Sequence, residues 1–426
     1  MANPRGKNGF LENEDCCYME LFNAILPTQL VATMTAVKDV AEVSYVDPSL
    51  YMHSLIILRN HVANFQPDYV VMTAYPDFFE HLLPFTDFIH MMDTKLITIV
   101  NPPGYVEDAL DIFHPELAVY SEPEATMREL AEKDFDRSVK GIAYMDGEEI
   151  KVNPYRASCF DKVPVADYDL IPDGYWPNYP YAQVQSQRGC PYHCKFCVWG
   201  GNIKTDHAPK TRPAHVVAEE VRLLRKKLPP LHAVWILCPQ VTHDKKWLEA
   251  FAEEKPLERF IKTGARVNEI DLDIIELLKQ ANIPMVNLGV ESFSETVLQR
   301  VQKGQTLDQI INGMRLLAEN GVGFDVKLMG GIDESAEDME EANAGVLKAV
   351  HAMEGLKKMF SVSTSLCQAY KGTAMWSLGE GKVERWFKYY VNMEAFPGWV
   401  VFFNTLMENW RCSHVFNLLN ELMKRA

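Results

Sequence analysis

Apolar positions in the first third of the chain follow two rhythms. Helical spacing runs from Leu26-Pro27 through Val37, and again over residues 51–64, where Leu55, Leu58 and Val62 share a face. Short apolar runs lie between and after these: Val43-Ser44-Tyr45-Val46-Asp47-Pro48, Pro67-Asp68-Tyr69-Val70-Val71-Met72-Thr73, Leu96-Ile97-Thr98-Ile99-Val100 and Leu117-Ala118-Val119-Tyr120. Each predicts a strand, and residues 122–133 predict a helix after the last. Strands alternating with helices predict a doubly wound parallel sheet over residues 1–150. Ligands of such sheets sit at the carboxyl ends of the strands.

Residues 151–180 break the rhythm. Val163-Pro164, Ile171-Pro172-Asp173-Gly174 and Trp176-Pro177-Asn178-Tyr179-Pro180 are rich in proline, aspartate and tyrosine, a composition that predicts a linker. Beyond it a longer series begins. Strands are predicted at 182–186, 233–237, 260–266, 285–290, 324–329 and 360–366, with helices at 215–227, 247–254, 273–281, 294–301, 307–320 and 335–353. The series predicts an open, partial (β/α)6 TIM-like barrel over residues 181–380, with chemistry on the loops after the strands. The segment 381–426 carries Trp386, Phe387, Tyr389, Tyr390, Phe396, Trp399, Phe402, Phe403 and Trp410. It predicts helices around Pro397-Gly398, either a cap on the core or a cover for the barrel mouth. Surface association with a membrane is a weaker third reading.

The loop after the first barrel strand carries the most specific signal. It reads Arg188-Gly189-Cys190-Pro191-Tyr192-His193-Cys194-Lys195-Phe196-Cys197, the pattern C-x-x-x-C-x-x-C. Three thiolates can hold a [4Fe-4S] cube by three corners and leave the fourth iron open to a ligand. Phe196, beside the last cysteine, would shield the cluster. A zinc site would want a fourth ligand, for which His193 is the nearby candidate. A disulfide needs an oxidising compartment, and the polar start Met1-Ala2-Asn3-Pro4-Arg5-Gly6-Lys7 has no apolar core of a signal peptide behind it. Nine cysteines, three of them clustered, fit a reducing interior. The net charge of −16 argues against nucleic acid as substrate. No apolar stretch is long enough to span a membrane, which predicts a cytoplasmic protein.

The cysteine run resembles the signature of the radical S-adenosylmethionine (SAM) enzymes. Further stretches resemble the methylthiotransferase-like branch of that superfamily. These are Ala265-Arg266-Val267-Asn268, Gly289-Val290-Glu291-Ser292, Val297-Leu298-Gln299-Arg300-Val301 with Lys303-Gly304-Gln305-Thr306, Gly330-Gly331-Ile332-Asp333-Glu334-Ser335-Ala336-Glu337-Asp338, and Tyr370-Lys371-Gly372-Thr373-Ala374-Met375. They fall in order at strand-to-helix junctions, across residues 181–380. The front segment resembles, in pattern, the cobalamin-binding domain that precedes many of these enzymes. Leu26-Pro27, Val46-Asp47-Pro48 and Gln66-Pro67-Asp68-Tyr69-Val70-Val71 carry that likeness. It departs from the family in lacking an Asp-x-His-x-x-Gly loop. Asn101-Pro102-Pro103-Gly104 stands where a Gly-Gly pair often meets the cofactor, which makes Asn101 and Gly104 candidates. The rival reading is a purely structural sheet.

The resemblance implies roles for named residues. Cys190, Cys194 and Cys197 would ligate the cluster. Arg266 would pair with the SAM carboxylate. Glu291 and Ser292 would face its ribose or ammonium, and Gly330 and Gly331 would let backbone approach the nucleoside. The rival readings are an Arg266–Glu291 salt bridge and a tight glycine turn. After the second barrel strand the family's Gly-Gly-Glu is absent. Leu237-Cys238-Pro239-Gln240-Val241-Thr242-His243-Asp244 stands there, so Gln240 and Thr242 are the candidates for SAM contacts. Cys238 is a candidate hydrogen-atom donor or substrate contact, with packing as the plainer reading. Cys16, Cys17, Cys159, Cys367 and Cys412 have no ligand spacing.

Together these imply a cobalamin-dependent radical SAM methyltransferase. It would cleave SAM to a 5′-deoxyadenosyl radical and methylate an unactivated carbon of a small-molecule or peptide substrate. An external electron donor such as flavodoxin or ferredoxin would supply electrons. The alternatives are a radical SAM cyclase or oxidoreductase, with or without cobalamin, and an iron–sulfur electron-transfer protein. A tRNA methylthiotransferase fits poorly, for want of a second cysteine triad and a basic RNA module.

Overall fold

The computed structural model describes residues 25–48, 55–76, 79–92, 94–179, 181–200, 209–228, 233–256, 258, 260, 263–332, 334–356, 360–367, 369–378 and 401–403. The chain divides into two compact units. One comprises residues 1–187 with 203–234, the other 188–202 with 235–426.

The first unit is built on a five-stranded sheet: β2 (Tyr69–Ala74), β3 (Lys95–Val100), β4 (Leu117–Val119), β5 (Ile142–Asp146) and β6 (Glu149–Val152). The strands lie side by side in chain order. β2, β3 and β4 are parallel, while β5 and β6 are antiparallel to their neighbours. β3 is an inner strand buried from Leu96 to Val100, which explains its largely apolar run, with Thr98 as the one polar residue. Helices cover both faces. α2 (Leu55–Phe65), α3 (Phe79–His90) and α4 (Val106–Phe113) bury Leu58, Phe79, Ile89, Leu110 and Phe113 against Leu96, Val100 and Ala118. α1 (Thr28–Val37) and α5 (Pro123–Glu132) bury Val37, Met127 and Leu130 against Ile97, Ile99, Leu117 and Val119. Ile97 is fully buried, and Ile97→Ala would cost about 2–5 kcal/mol.

Three expectations are corrected here. The described strands follow chain order and end in a hairpin, so they show no reversal of the doubly wound kind. The hairpin turns at Gly147-Glu148, where Gly147 has φ +66°, a conformation that suits glycine. Residues 43–47 form no strand. Side chains hold them instead: the Tyr179 hydroxyl donates to Asp47 at 2.7 Å and lies 2.8 Å from the Tyr45 hydroxyl. Leu26 belongs to a two-residue strand, β1 (Ile25–Leu26), paired in parallel with β7 (Tyr181–Gln185). The predicted first barrel strand therefore lies in the first unit.

β8 (Ala233–Leu237) carries the chain into the second unit. There β9 (Thr263–Ala265), β10 (Met285–Glu291), β11 (Gly323–Gly330) and β12 (Phe360–Leu366) form one parallel sheet in chain order. β10 alternates strictly, with Val286, Leu288 and Val290 buried and the residues between them partly open. One face is thus core. The other carries Asn287, Gly289, Asp325 and Lys327 in register. α7 (Lys245–Glu253), α8 (Leu272–Gln280), α9 (Glu295–Arg300), α10 (Leu307–Glu319) and α11 (Ala336–Ala352) connect the strands. Capping boxes at Thr306/Gln309 and Ser335/Asp338 start α10 and α11. In the tail, residues 401–403 form β13 (Val401–Phe403) beside β12, where a helical segment is expected. The other tail residues from 379 on lie outside the described residues. Among the described residues no helix is long and apolar enough to cross a membrane.

Candidate active site

The cysteine loop lies in the second unit and is stapled at both sides. The Lys195 amide donates to the Val301 carbonyl at 3.0 Å, beyond α9. The Lys195 carbonyl accepts from the Met375 amide at 3.1 Å, in α12 (Ala374–Leu378). Gly200 closes the loop on itself. A Cβ there would stand 2.0 Å from the Tyr192 carbonyl and 3.0 Å from that of Cys190. The three thiols are not joined by disulfides; Cys190 and Cys194 are buried and Cys197 partly so. Burial pushes the Cys190 thiol up, and that of Cys197 up to about 11. The protein alone therefore keeps these groups protonated near neutrality, and a metal would deprotonate them. His193 Nδ1 lies 3.2 Å from the Gly200 carbonyl, which turns it toward the loop backbone. Phe196 packs with Val297, Val301, Ile332, Cys367 and Met375, a wall that excludes water beside Cys197.

Two buried cations flank the loop. Lys303 is 5% exposed and forms an ion pair with Glu291 at 2.8 Å, its ammonium 5.9 Å above the Phe196 ring. Gly289 makes room for that pair, since a Cβ would stand 2.8 Å from the Lys303 nitrogen. Glu291 ends β10 at a register shift, with φ +67° in the left-handed region, a local strain held by this pair. Arg266 is only 1% exposed. Its Nη1 lies 3.7 Å from the Cys194 sulfur, and its guanidinium lies 3.7 Å from the centre of the Tyr192 ring. Its other donors go to Asn268 Oδ1 at 3.1 Å and to the Lys303 and Gly304 carbonyls. Arg266 and Glu291 thus form no pair with each other.

Glu269 ties the base of the loop. It accepts from the Tyr192 and Thr242 hydroxyls, and His243 Nδ1 lies 3.2 Å away. Burial, then the bond to Glu269, pushes the Tyr192 phenol up to about 12. Thr242 also meets the Arg266 amide at 3.5 Å. Both its contacts are to the scaffold under the loop. Gln240 differs: its Oε1 is buried without a hydrogen-bond partner among the described residues, and so is that of Gln305. The Gln305 amide donates to the Gly289 carbonyl at 3.0 Å, which fixes its position beside β10. Ser292 accepts from the Ser294 amide at 3.1 Å. The Gly330 carbonyl accepts from the Cys367 amide at 2.7 Å, and Gly331 turns with φ +81°. Arg300 links this turn to α11 through the Ile332 carbonyl at 3.2 Å and Asp338 at 2.8 Å. Cys238 is 5% exposed at the end of β8, and its carbonyl accepts from the Gly264 amide. In the first unit, Asn101 and Gly104 lie at the carboxyl end of β3, where the Asn101 amide donates to the Ala74 carbonyl at 3.0 Å. A groove of about 970 Å³ in that unit is lined by Leu58, Tyr69, Lys95 and Phe135, and neither Asn101 nor Gly104 lines it.

These residues fit the groups that the motif implies. Three thiols stand on one closed loop beside a buried cation. Among the described residues, no three His, Cys, Asp or Glu side chains are grouped so as to hold a metal ion. A four-iron cube binds its thiolates at separate corners. Two orphaned amide oxygens suit a donor such as an ammonium group. Sequence reasoning assigned no role to Lys303, Gln305, Tyr192 or Glu269. For Lys303 and Gln305, the run Lys303-Gly304-Gln305-Thr306 was the available signal.

Residues 184–343 match the family model of the radical SAM superfamily. That match spans less than half of the chain, and over it the chain is similar to the radical SAM superfamily. The chain is an enzyme. Over 372 residues it is 22% identical to a Pyrococcus horikoshii protein named as an uncharacterized methyltransferase, covering 82% of this chain and 77% of that one. Over 226 residues it is 28% identical to the anaerobic magnesium-protoporphyrin IX monomethyl ester cyclase of Rubrivivax gelatinosus, covering 48% of this chain and 38% of the cyclase. Its fold is similar to that of the radical SAM methyltransferase TsrM from Kitasatospora setae, solved with cobalamin and a [4Fe-4S] cluster. The TM-score is 0.68 at 18% identity, over 82% of this chain and 74% of TsrM. It is also similar in fold to the cobalamin-dependent enzyme OxsB, with TM-score 0.66 at 18% identity, over 78% of this chain. The chain spans about half of OxsB, 51%.

Proposed function

We propose that this radical SAM enzyme is a cobalamin-dependent methyltransferase that adds a methyl group to an unactivated carbon. The observation that carries the reading is the closed three-thiol loop with Arg266 buried against Cys194. Cys190, Cys194 and Cys197 hold a [4Fe-4S] cluster. Gln240 and Gln305 offer acceptors to the ammonium of SAM, with Glu291, Ser292, Gly330 and Gly331 near its nucleoside. When bound, the cluster and SAM supply the radical, and cobalamin supplies the methyl group. The chain's own work is to orient these groups and keep water out, through Phe196 and the apolar wall around it. The four parallel strands of the second unit are read as part of an open, partial TIM-like barrel. Cobalamin is assigned to the carboxyl ends of the first unit's strands, near Asn101 and Gly104. The substrate is a small molecule or peptide, and electrons come from a flavodoxin or ferredoxin.

The test is anaerobic purification with added cobalamin, followed by iron, sulfide and corrinoid analysis. About one cluster and one cobalamin per chain is the expected result. A cluster without cobalamin would overturn the methyl-transfer reading. It would favour the second one, a cyclase or oxidoreductase without cobalamin; the likeness to the R. gelatinosus cyclase supports only the cyclase part of that reading. A count of methyl groups on the product separates these further.

A further inference from the structure

We infer that Arg266 is the standing counter-cation of the cysteine loop, and that it sets the reduction potential of the cluster the loop carries. The inference rests on the reading of Cys190, Cys194 and Cys197 as cluster ligands.

A guanidinium buried to 1% exposure needs an anion, because an unpaired buried charge costs several kcal/mol. Among the described residues no carboxylate pairs with Arg266. Its acceptors are neutral: Asn268 Oδ1 and the carbonyls of Lys303 and Gly304. Glu269 lies near in sequence but is engaged by Tyr192, Thr242 and His243. Lys303, the other buried cation beside the loop, is neutralised by Glu291. The group left to balance Arg266 is the Cys194 sulfur, 3.7 Å from Nη1. A thiol does not balance it, whereas a metal-bound thiolate does. The arginine is also fixed in direction. The Tyr192 ring centre lies 3.7 Å from its guanidinium carbon, and Tyr192 is anchored through its hydroxyl to Glu269. Arg266 is therefore a positioning residue that acts on the cluster through Cys194.

Reduction of a [4Fe-4S] cluster adds one electron, and a fixed cation at a ligand sulfur favours the more negative form. The experiment is a potentiometric titration of the full chain, reconstituted anaerobically with iron and sulfide and without SAM. Dithionite supplies the electron, and the EPR signal of the reduced cluster is the readout. In Arg266→Gln the ratio of reduced to oxidised cluster at a fixed potential should fall at least about tenfold, or 59 mV for a one-electron couple. Arg266→Lys, which keeps the charge, should recover most of that loss. A purely structural role would lower cluster occupancy and leave the midpoint of the loaded fraction unmoved. A measurement without any variant covers the case in which Arg266→Gln does not load. Pulsed EPR on the wild-type chain labelled with ¹⁵N-arginine should resolve a nitrogen coupling to the reduced cluster. An unmoved midpoint in Arg266→Gln, or no coupling in the labelled chain, overturns the inference alone. A wild-type chain that takes up no cluster overturns it together with the cluster reading.

Discussion

Two buried arginines behave in opposite ways. Arg212, in the first unit, is 3% exposed and forms an ion pair with Glu220, itself 3% exposed. Its remaining donors reach the carbonyls of Val163, Gln185 and Pro164 at 3.2, 3.1 and 2.9 Å. Glu220 also accepts from the Tyr168 hydroxyl at 2.7 Å, and burial followed by that carboxylate holds the phenol protonated. Charge and hydrogen bonds close within the protein, so Arg212 locks residues 163–168 to α6 (Ala214–Lys227). Arg266 is more deeply buried, yet its charge finds no carboxylate and points at a thiol. The contrast separates a structural cation from one whose partner arrives with a cofactor.

That contrast can be broken from either side. Arg212→Met leaves Glu220 buried and unpaired, and should cost about 3–5 kcal/mol in urea unfolding. The cluster midpoint should stay at its wild-type value, because Arg212 and the loop belong to different units. Lys303→Met sharpens the other half. It strands Glu291, whose side chain is 13% exposed, and should cost about 1–3 kcal/mol in thermal unfolding. Gly200→Ala forces a Cβ into the Tyr192 carbonyl and should cost about 1–3 kcal/mol, with a clear drop in iron per chain. The smallest effect concerns acid. Hydrogen bonds from Lys133 and then Arg156 hold the Glu129 carboxyl below the usual carboxylate range. Its stabilisation is present above about pH 4.3, the ordinary glutamate value, and is lost as pH falls through the lowered folded value. Urea midpoints measured between pH 5 and 3 should therefore fall less steeply in Glu129→Gln.

Much of the fold was legible because local pattern and tertiary role agree. β3 reads as a buried strand and is one. The series from β9 to β12 falls where the apolar runs place it, with ends shifted by a few residues. Residues 43–47 misled because strand-like composition there serves a Tyr45–Asp47–Tyr179 contact. The hairpin of β5 and β6 was missed although Asp146-Gly147 is a strong turn signal. Within the site, the cysteine spacing identified the loop. The partners of Arg266 did not follow from spacing. A cation at a strand end can meet a carboxylate, a ligand or a sulfur, and only the fold shows Glu269 already engaged and Glu291 paired with Lys303.

The central claim is that the three cysteines support reductive cleavage of SAM. The most direct measurement is 5′-deoxyadenosine formation from SAM and dithionite by the anaerobically reconstituted chain, beside its Cys194→Ala variant. The account predicts 5′-deoxyadenosine from the wild-type chain and none above background from the variant. Equal formation by both, or none from a wild-type chain carrying a full cluster, would contradict it.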